Sequence, residues 1–151
     1  MASSPALFAD RAYFGDYDGT IYCLNLISKK KEWEIPGSDE SGAVLSVPAI
    51  GNGMVLVGRE DKYLWCLNST DGKLRWKDRT NGSISGSAVV TSGQVLFASM
   101  DGNVYILKLQ DGSKLWSFNA GASVSSSPAL IKDRFIVLTD DGRLLAFGAK
   151  Q

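Results

Sequence analysis

The sequence predicts an all-β fold made of four copies of one small antiparallel sheet, and three observations predict it. The tryptophans Trp33, Trp76 and Trp116 recur at spacings of 43 and 40. The aspartates Asp18, Asp61, Asp101 and Asp141 recur at 43, 40 and 40, as do Pro5, Pro48, Ala88 and Pro128, which open the units. Between these markers lie apolar and aromatic runs of about 4–6 residues, punctuated by Asp-Gly and Asn-Gly, the pattern of strands joined by tight turns.

Each unit reads as four strands. The opening strand is short and made of small residues, as in Ser127-Pro128-Ala129-Leu130. The second strand covers Met54–Gly58, Gln94–Ala98 and Arg134–Leu138, and the third covers Tyr63–Leu67, Asn103–Leu107 and Arg143–Phe147. A fourth strand carries the tryptophan, as in Lys73–Trp76 and Lys114–Phe118. Runs such as Val55-Leu56-Val57 do not alternate with polar residues, so these sheets are expected to be covered on both faces. No helical period is sustained.

Four antiparallel strands per forty residues is the blade of a β-propeller. The blades are predicted at 3–45, 46–86, 87–126 and 127–151, a single partial propeller domain over 1–151. The last blade stops after its third strand, giving fifteen strands. The additional three residues of the first spacing fall between Trp33 and Pro48, at the insertion Pro36–Gly42.

Composition narrows the chemistry. The chain has 151 residues, with 16 basic and 16 acidic side chains and no histidine. Balanced charge argues against nucleic acid as a partner. Without histidine there is no Ser-His-Asp or Cys-His catalysis and no His-containing zinc site. Cys23 and Cys66 are too few for a Cys-only zinc site and lack CxxC spacing. They occupy equivalent positions in adjacent units, so they are expected to be small buried hydrophobes. No apolar run approaches the ~20 residues of a membrane helix. Residues 1–5 show no secretory pattern. The compartment is left open by these residues.

Several segments carry a family resemblance: Tyr22-Cys23-Leu24-Asn25, Trp65-Cys66-Leu67-Asn68, Asp71-Gly72-Lys73-Leu74-Arg75-Trp76, Asp111-Gly112-Ser113-Lys114-Leu115-Trp116 and Ser126-Ser127-Pro128-Ala129-Leu130. They resemble the pyrroloquinoline-quinone-like propeller repeat. That family includes quinone-dependent alcohol dehydrogenases, the BamB-type lipoprotein scaffold of outer-membrane protein assembly, and sensor domains. The resemblance implies a propeller of seven or eight blades, a periplasmic or cell-surface location and a possible place in a membrane-assembly complex. A quinone enzyme of the family would need a calcium site of Glu, Asn and Asp, a catalytic Asp and adjacent cysteines. This sequence has no adjacent cysteines, so no catalytic residue, metal or cofactor is assigned.

The expectation is therefore a non-catalytic scaffold that binds other proteins. The flanks of the first and last blades would be apolar and bare, and a homodimer of two four-blade halves would make an eight-bladed ring. A fragment of a longer propeller, a closed four-bladed ring, and a quinone or small ligand in the central channel are the alternatives.

Strand alternation gathers Asp16, Asp18, Asp39, Glu40, Glu60, Asp61, Asp101, Asp140 and Asp141 on one rim, the candidate interaction surface. Individually, the aspartates before glycine are expected as turn formers. The opposite rim carries Lys29, Lys30, Lys31, Lys73, Lys114 and Lys132. Trp33, Trp76 and Trp116 are expected as packing residues with their indole N–H bonded to a neighbouring blade. Trp65 stands where other units have Tyr22, Tyr105 and Leu145, and blade packing is the expected role for it too. The insertion is expected either as a recognition loop or as an idle extension.

Overall fold

A computed structural model describes residues 3–148, so residues 149–151 of the fourth predicted unit lie outside it. It contains β1 Ala6–Phe8, β2 Arg11–Gly15, β3 Ile21–Asn25, β4 Lys30–Ile35, β5 Ala49–Gly51, β6 Met54–Gly58, β7 Tyr63–Asn68 and β8 Leu74–Arg79. It continues with β9 Val89–Val90, β10 Gln94–Ala98, β11 Asn103–Lys108, β12 Lys114–Asn119, β13 Ala129–Ile131, β14 Arg134–Leu138 and β15 Leu144–Gly148. These form three four-stranded sheets, β1-β2-β3-β4, β5-β6-β7-β8 and β9-β10-β11-β12, and a three-stranded sheet β13-β14-β15. All pairings are antiparallel between sequence neighbours. Fifteen strands in four meanders is the predicted propeller architecture, and no helix occurs among the described residues.

The opening strands lie innermost, where β1 meets β5 and β5 meets β9. Serines just ahead of these strands tie one sheet to the next. The Val47 N–H donates to Ser87 Oγ at 2.9 Å, and the Ser87 N–H donates to Ser127 Oγ at 2.8 Å, each across 40 residues. The hydroxyls thus satisfy inner-strand amides that no sheet ladder reaches.

The sheets stack face to face. Tyr13, Ile21 and Cys23 of the first sheet pack on Val55, Val57 and Leu67 of the second. Leu56, Leu64 and Cys66 of the second pack on Val95, Phe97 and Leu107 of the third. Leu96 and Val104 of the third pack on Val137, Phe135 and Phe147 of the last. Burial on both faces makes β6 apolar at every position, which is why its sequence does not alternate. The last sheet differs: β14 and β15 are buried only at Val137, because only one of their faces has a neighbour.

Each complete sheet has a register shift at the same place, between Cys23 and Leu24, Cys66 and Leu67, and Ile106 and Leu107. This bulge sets the tryptophan opposite the residue before it and turns the outer strand. Trp33 then donates its indole N–H to the Ser69 carbonyl and Trp76 to the Leu109 carbonyl, both in the following sheet. For Trp116 the position one repeat on is residue 149, outside the described residues.

The turn beneath each indole explains the recurring glycine. Gly72 has φ +70°, and a Cβ there would stand 2.8 Å from the Trp33 ring. Gly112 at φ +73° stands in the same relation to Trp76. In the first sheet this turn position is Lys29, with φ 56°, and among the described residues no indole lies above it. The left-handed backbone is kept while the need for a missing side chain is gone.

Both cysteines are free and buried. Burial pushes the Cys23 thiol up to about 11 and the Cys66 thiol up to about 12. Neither is a thiolate at neutral pH, as the packing role requires.

Candidate interaction rim and the cavity between the first two blades

The predicted rim acids come together because the β2–β3, β6–β7, β10–β11 and β14–β15 turns share one edge with the connections between sheets. The Val44 N–H donates to the Asp16 carbonyl at 2.9 Å, and the Glu60 N–H to the Ala43 carbonyl at 3.2 Å. The next connection repeats the arrangement, with the Met100 N–H on the Ser83 carbonyl at 2.9 Å.

Most of these carboxylates serve the turns and the connections between sheets. Asp101 accepts from the N–H groups of Asn81 and Asn103, at 3.0 and 2.9 Å, and from the Tyr105 hydroxyl at 2.8 Å. In the first sheet Asp16 takes over this work, accepting from the N–H groups of Asp18 and Thr20 and from the Tyr22 hydroxyl. Glu60 accepts from the Ala43 N–H and Asp61 from the Tyr63 N–H. Asp140 holds the Ser125 hydroxyl and N–H, which draw its pKa below the usual carboxylate range. Asp141 is drawn down in the same way by the Thr139 hydroxyl and then by Arg143. Among the described residues, the side chains of Asp18, Asp39 and Glu40 accept no hydrogen bond and are exposed. Asp18 and Asp39 line a 260 Å³ pocket with Tyr17, Gly37, Ser38 and Gly42. Of the nine acids, these three remain open to a partner.

Asp101 also gives the rim a pH signature. Burial pushes its carboxyl up, but the Asn81 N–H, the Tyr105 hydroxyl and the Asn103 N–H outweigh this and leave its pKa lowered. A lowered folded-state pKa adds stability above the unfolded carboxylate value, lost as pH falls through the folded value. Asp101→Asn is therefore expected to cost about 1–2 kcal/mol at pH 7, the difference shrinking as pH falls below the unfolded carboxylate value, read from urea midpoints across a pH series.

Of the six lysines expected on the opposite rim, Lys31, Lys73 and Lys114 have partners among the described residues, and the neighbouring Lys108 is bridged as well. Lys31 bridges Glu34 at 2.6 Å, Lys73 bridges Asp71 at 3.3 Å and Lys108 bridges Asp111 at 3.8 Å. Lys114 lies over the Tyr105 ring, 4.9 Å from its centroid.

One feature of the acidic rim escaped the sequence reading. Two residues before the recurring aspartate stand Asp16, Arg59, Ser99 and Thr139. Arg59 is 1% exposed. It donates from Nη2 to the Gly19 carbonyl across the sheet boundary, and its guanidinium carbon lies 4.6 Å from the Trp65 ring centroid. Its nearest carboxylate, Asp61, is 3.8 Å away, and Arg59 Nε and Trp65 Nε1 are buried without a hydrogen-bond partner. Burial lowers the Arg59 pKa and raises that of Asp61, so neither charge is fully compensated. The Trp65 indole N–H favours the charged Asp61 without reaching hydrogen-bond geometry. A cavity of 380 Å³ opens here, lined on one side by Arg59, Asp61, Tyr63 and Trp65 and on the other by Pro36, Ser38, Glu40 and Ser41 of the insertion. Aligning the repeats at that one column would have exposed Arg59.

Four meandering sheets stacked face to face, with serine hydroxyls just ahead of the inner strands and an outer indole, define a β-propeller of the pyrroloquinoline-quinone-like repeat class. The model of the family described as outer membrane protein assembly factor BamB matches residues 1–151, and the chain belongs to that family. The Escherichia coli K12 outer membrane protein assembly factor BamB is 28% identical over 93 residues, covering 57% of this chain and 24% of that protein. The crystal structure of BamB from Moraxella catarrhalis superposes with a TM-score of 0.85 at 16% identity, covering 97% of this chain and 46% of that one. The computationally designed Ika4 protein superposes with a TM-score of 0.86 at 14% identity, covering 99% of this chain and 91% of that one. The chain thus spans less than half the length of the BamB proteins it matches.

Proposed function

We propose that the chain is a non-catalytic propeller module that binds protein partners on its acidic rim and completes its ring with a second copy of itself. The observation that carries the second copy is the contrast between equivalent positions. Leu144, Leu138 and Ile136 are 64%, 48% and 41% exposed, whereas Val104, Ala98 and Leu96, one repeat earlier, are 0%, 2% and 4% exposed. At the other end Leu7 is 66% exposed, while its counterpart Ile50 packs against the first sheet.

Each bare face has the shape of the surface that the other covers inside the stack. Joining the last sheet of one copy to the first sheet of the other, twice, buries both and closes the ring by a two-fold axis.

For the rim, Asp18 and Asp39 beside the exposed Tyr17 suit a lysine or arginine of a partner, the ring adding a cation–π contact. The family's description as an outer membrane protein assembly factor supports partners from outer-membrane protein assembly. The test is recovery of outer-membrane assembly proteins crosslinked to this chain in its host. The double variant Asp18→Asn with Asp39→Asn is expected to lose most of the crosslinked partner while keeping its melting temperature within about 1 °C, since neither carboxylate serves the fold. Undiminished crosslinking would reject the rim.

A further inference from the structure

Three departures from the repeat meet at one place. The lengthened connection Pro36–Gly42, the buried Arg59 and the single tryptophan at its column, Trp65, all line the 380 Å³ cavity between the first and second sheets. Packing alone does not require this convergence, because the third sheet builds the same turn with Ser99 and Tyr105 and leaves neither with an unpartnered buried atom.

The chemistry of the walls selects the occupant. Arg59 has five N–H donors and one hydrogen bond, to the Gly19 carbonyl, with Asp61 beyond hydrogen-bond reach at 3.8 Å. Asp61 and Glu40 are acceptors on the same cavity. Lys77 already covers the aromatic shelf, 4.6 Å from the Tyr63 centroid and 5.1 Å from that of Trp65. An anion would face the two carboxylates, and a cation would face Arg59 and Lys77. A neutral group that accepts on one side and donates on the other meets neither penalty.

We propose that this cavity is a binding site for an amide group of a protein partner, its oxygen accepting from Arg59 and its N–H donating to Asp61 and Glu40. The amide comes from an asparagine or glutamine side chain or from the partner's main chain. The site adjoins the rim pocket of Asp18 and Asp39 across the insertion, so a segment crossing the insertion reaches both. It rests on the preceding reading only in taking the partner to be a protein.

Small probes test it with no partner present, which separates its failure from failure of the rim. Acetamide, N-methylacetamide, acetate and methylammonium are titrated at matched ionic strength while the Arg59 Nε–H and Trp65 indole N–H resonances are followed by NMR. The two amides are expected to move both resonances saturably, with acetate and methylammonium at least tenfold weaker. Preference for acetamide assigns the side-chain source, and preference for N-methylacetamide assigns the main chain. Arg59→Met is expected to abolish the response of the Trp65 indole while leaving the Trp33 and Trp76 indole resonances at their wild-type positions. Trp65→Tyr, which restores the residue of neighbouring units, is expected to weaken amide binding at least tenfold at the Arg59 resonance. Acetate binding as tightly as the amides, insensitivity to both substitutions, or no movement with any probe would overturn the site.

Discussion

In solution the chain is expected to run at twice its 16.3 kDa, and Leu144→Asp is expected to return it to the single-chain mass. Leu144 is 64% exposed, so an aspartate there is solvated and harmless in one copy alone. In the closed ring the same carboxylate would be buried against the first sheet of the partner, once at each of the two seams. Burying an unpaired charge costs several kcal/mol. Two such sites weaken association by a factor on the order of a thousand or more. The gain they oppose is the covering of Leu7, Ile136, Leu138 and Leu144, each worth about 1.5–3 kcal/mol if fully buried. Sedimentation equilibrium at micromolar concentration reads both proteins, with Lys132→Ala on the lysine rim as the control that keeps the double mass. A single-chain mass for the wild type at high concentration would remove the second copy from the proposal.

Trp33→Ala is expected to be the most damaging of the indole truncations, at about 3–5 kcal/mol. Trp33 is 8% exposed and belongs to the cluster that joins the first two sheets, whereas Trp76 and Trp116 are only half-buried. Its N–H shares the Ser69 carbonyl with the Tyr13 hydroxyl, at 3.2 and 3.1 Å, so the substitution also leaves the Ser69 turn with half its partners. Stability in a stacked array is a sum over units and their interfaces. Loss at this interface is therefore expected to free the first sheet before the others, seen in urea as an early transition in Tyr13 and Tyr22 environments. A loss below about 1 kcal/mol would show that the indole fills space without joining the sheets.

The propeller was legible because its markers are periodic. An indole that must reach the next sheet and an aspartate that must close a turn recur wherever the backbone geometry recurs, and Trp33, Trp76 and Trp116 record this at spacings of 43 and 40. Strand ends were less legible. The third strand runs one residue further, to Asn68 and Lys108, because the ladder continues to Met54 and Gln94 beyond the apolar run. The rim was legible as a set of acids but not in its division of labour. Asp16 and Asp101 bind amides and hydroxyls of their own turns and Asp140 those of Ser125 in the preceding connection, while Asp18, Asp39 and Glu40 do not, and nothing in the spacing separates the two groups.

The sequence by itself determined the blade, its four-strand order and the number of units, since local turn chemistry and period-setting residues act over a few positions of the chain. The tertiary structure alone decided which apolar faces are bare, why a lysine can stand where the later turns require glycine, and where Arg59 finds its partners. Those properties belong to contacts between sheets some 40 residues apart. A side chain in one repeat has the same letter whether or not a neighbour covers it, and only the stack says which case holds.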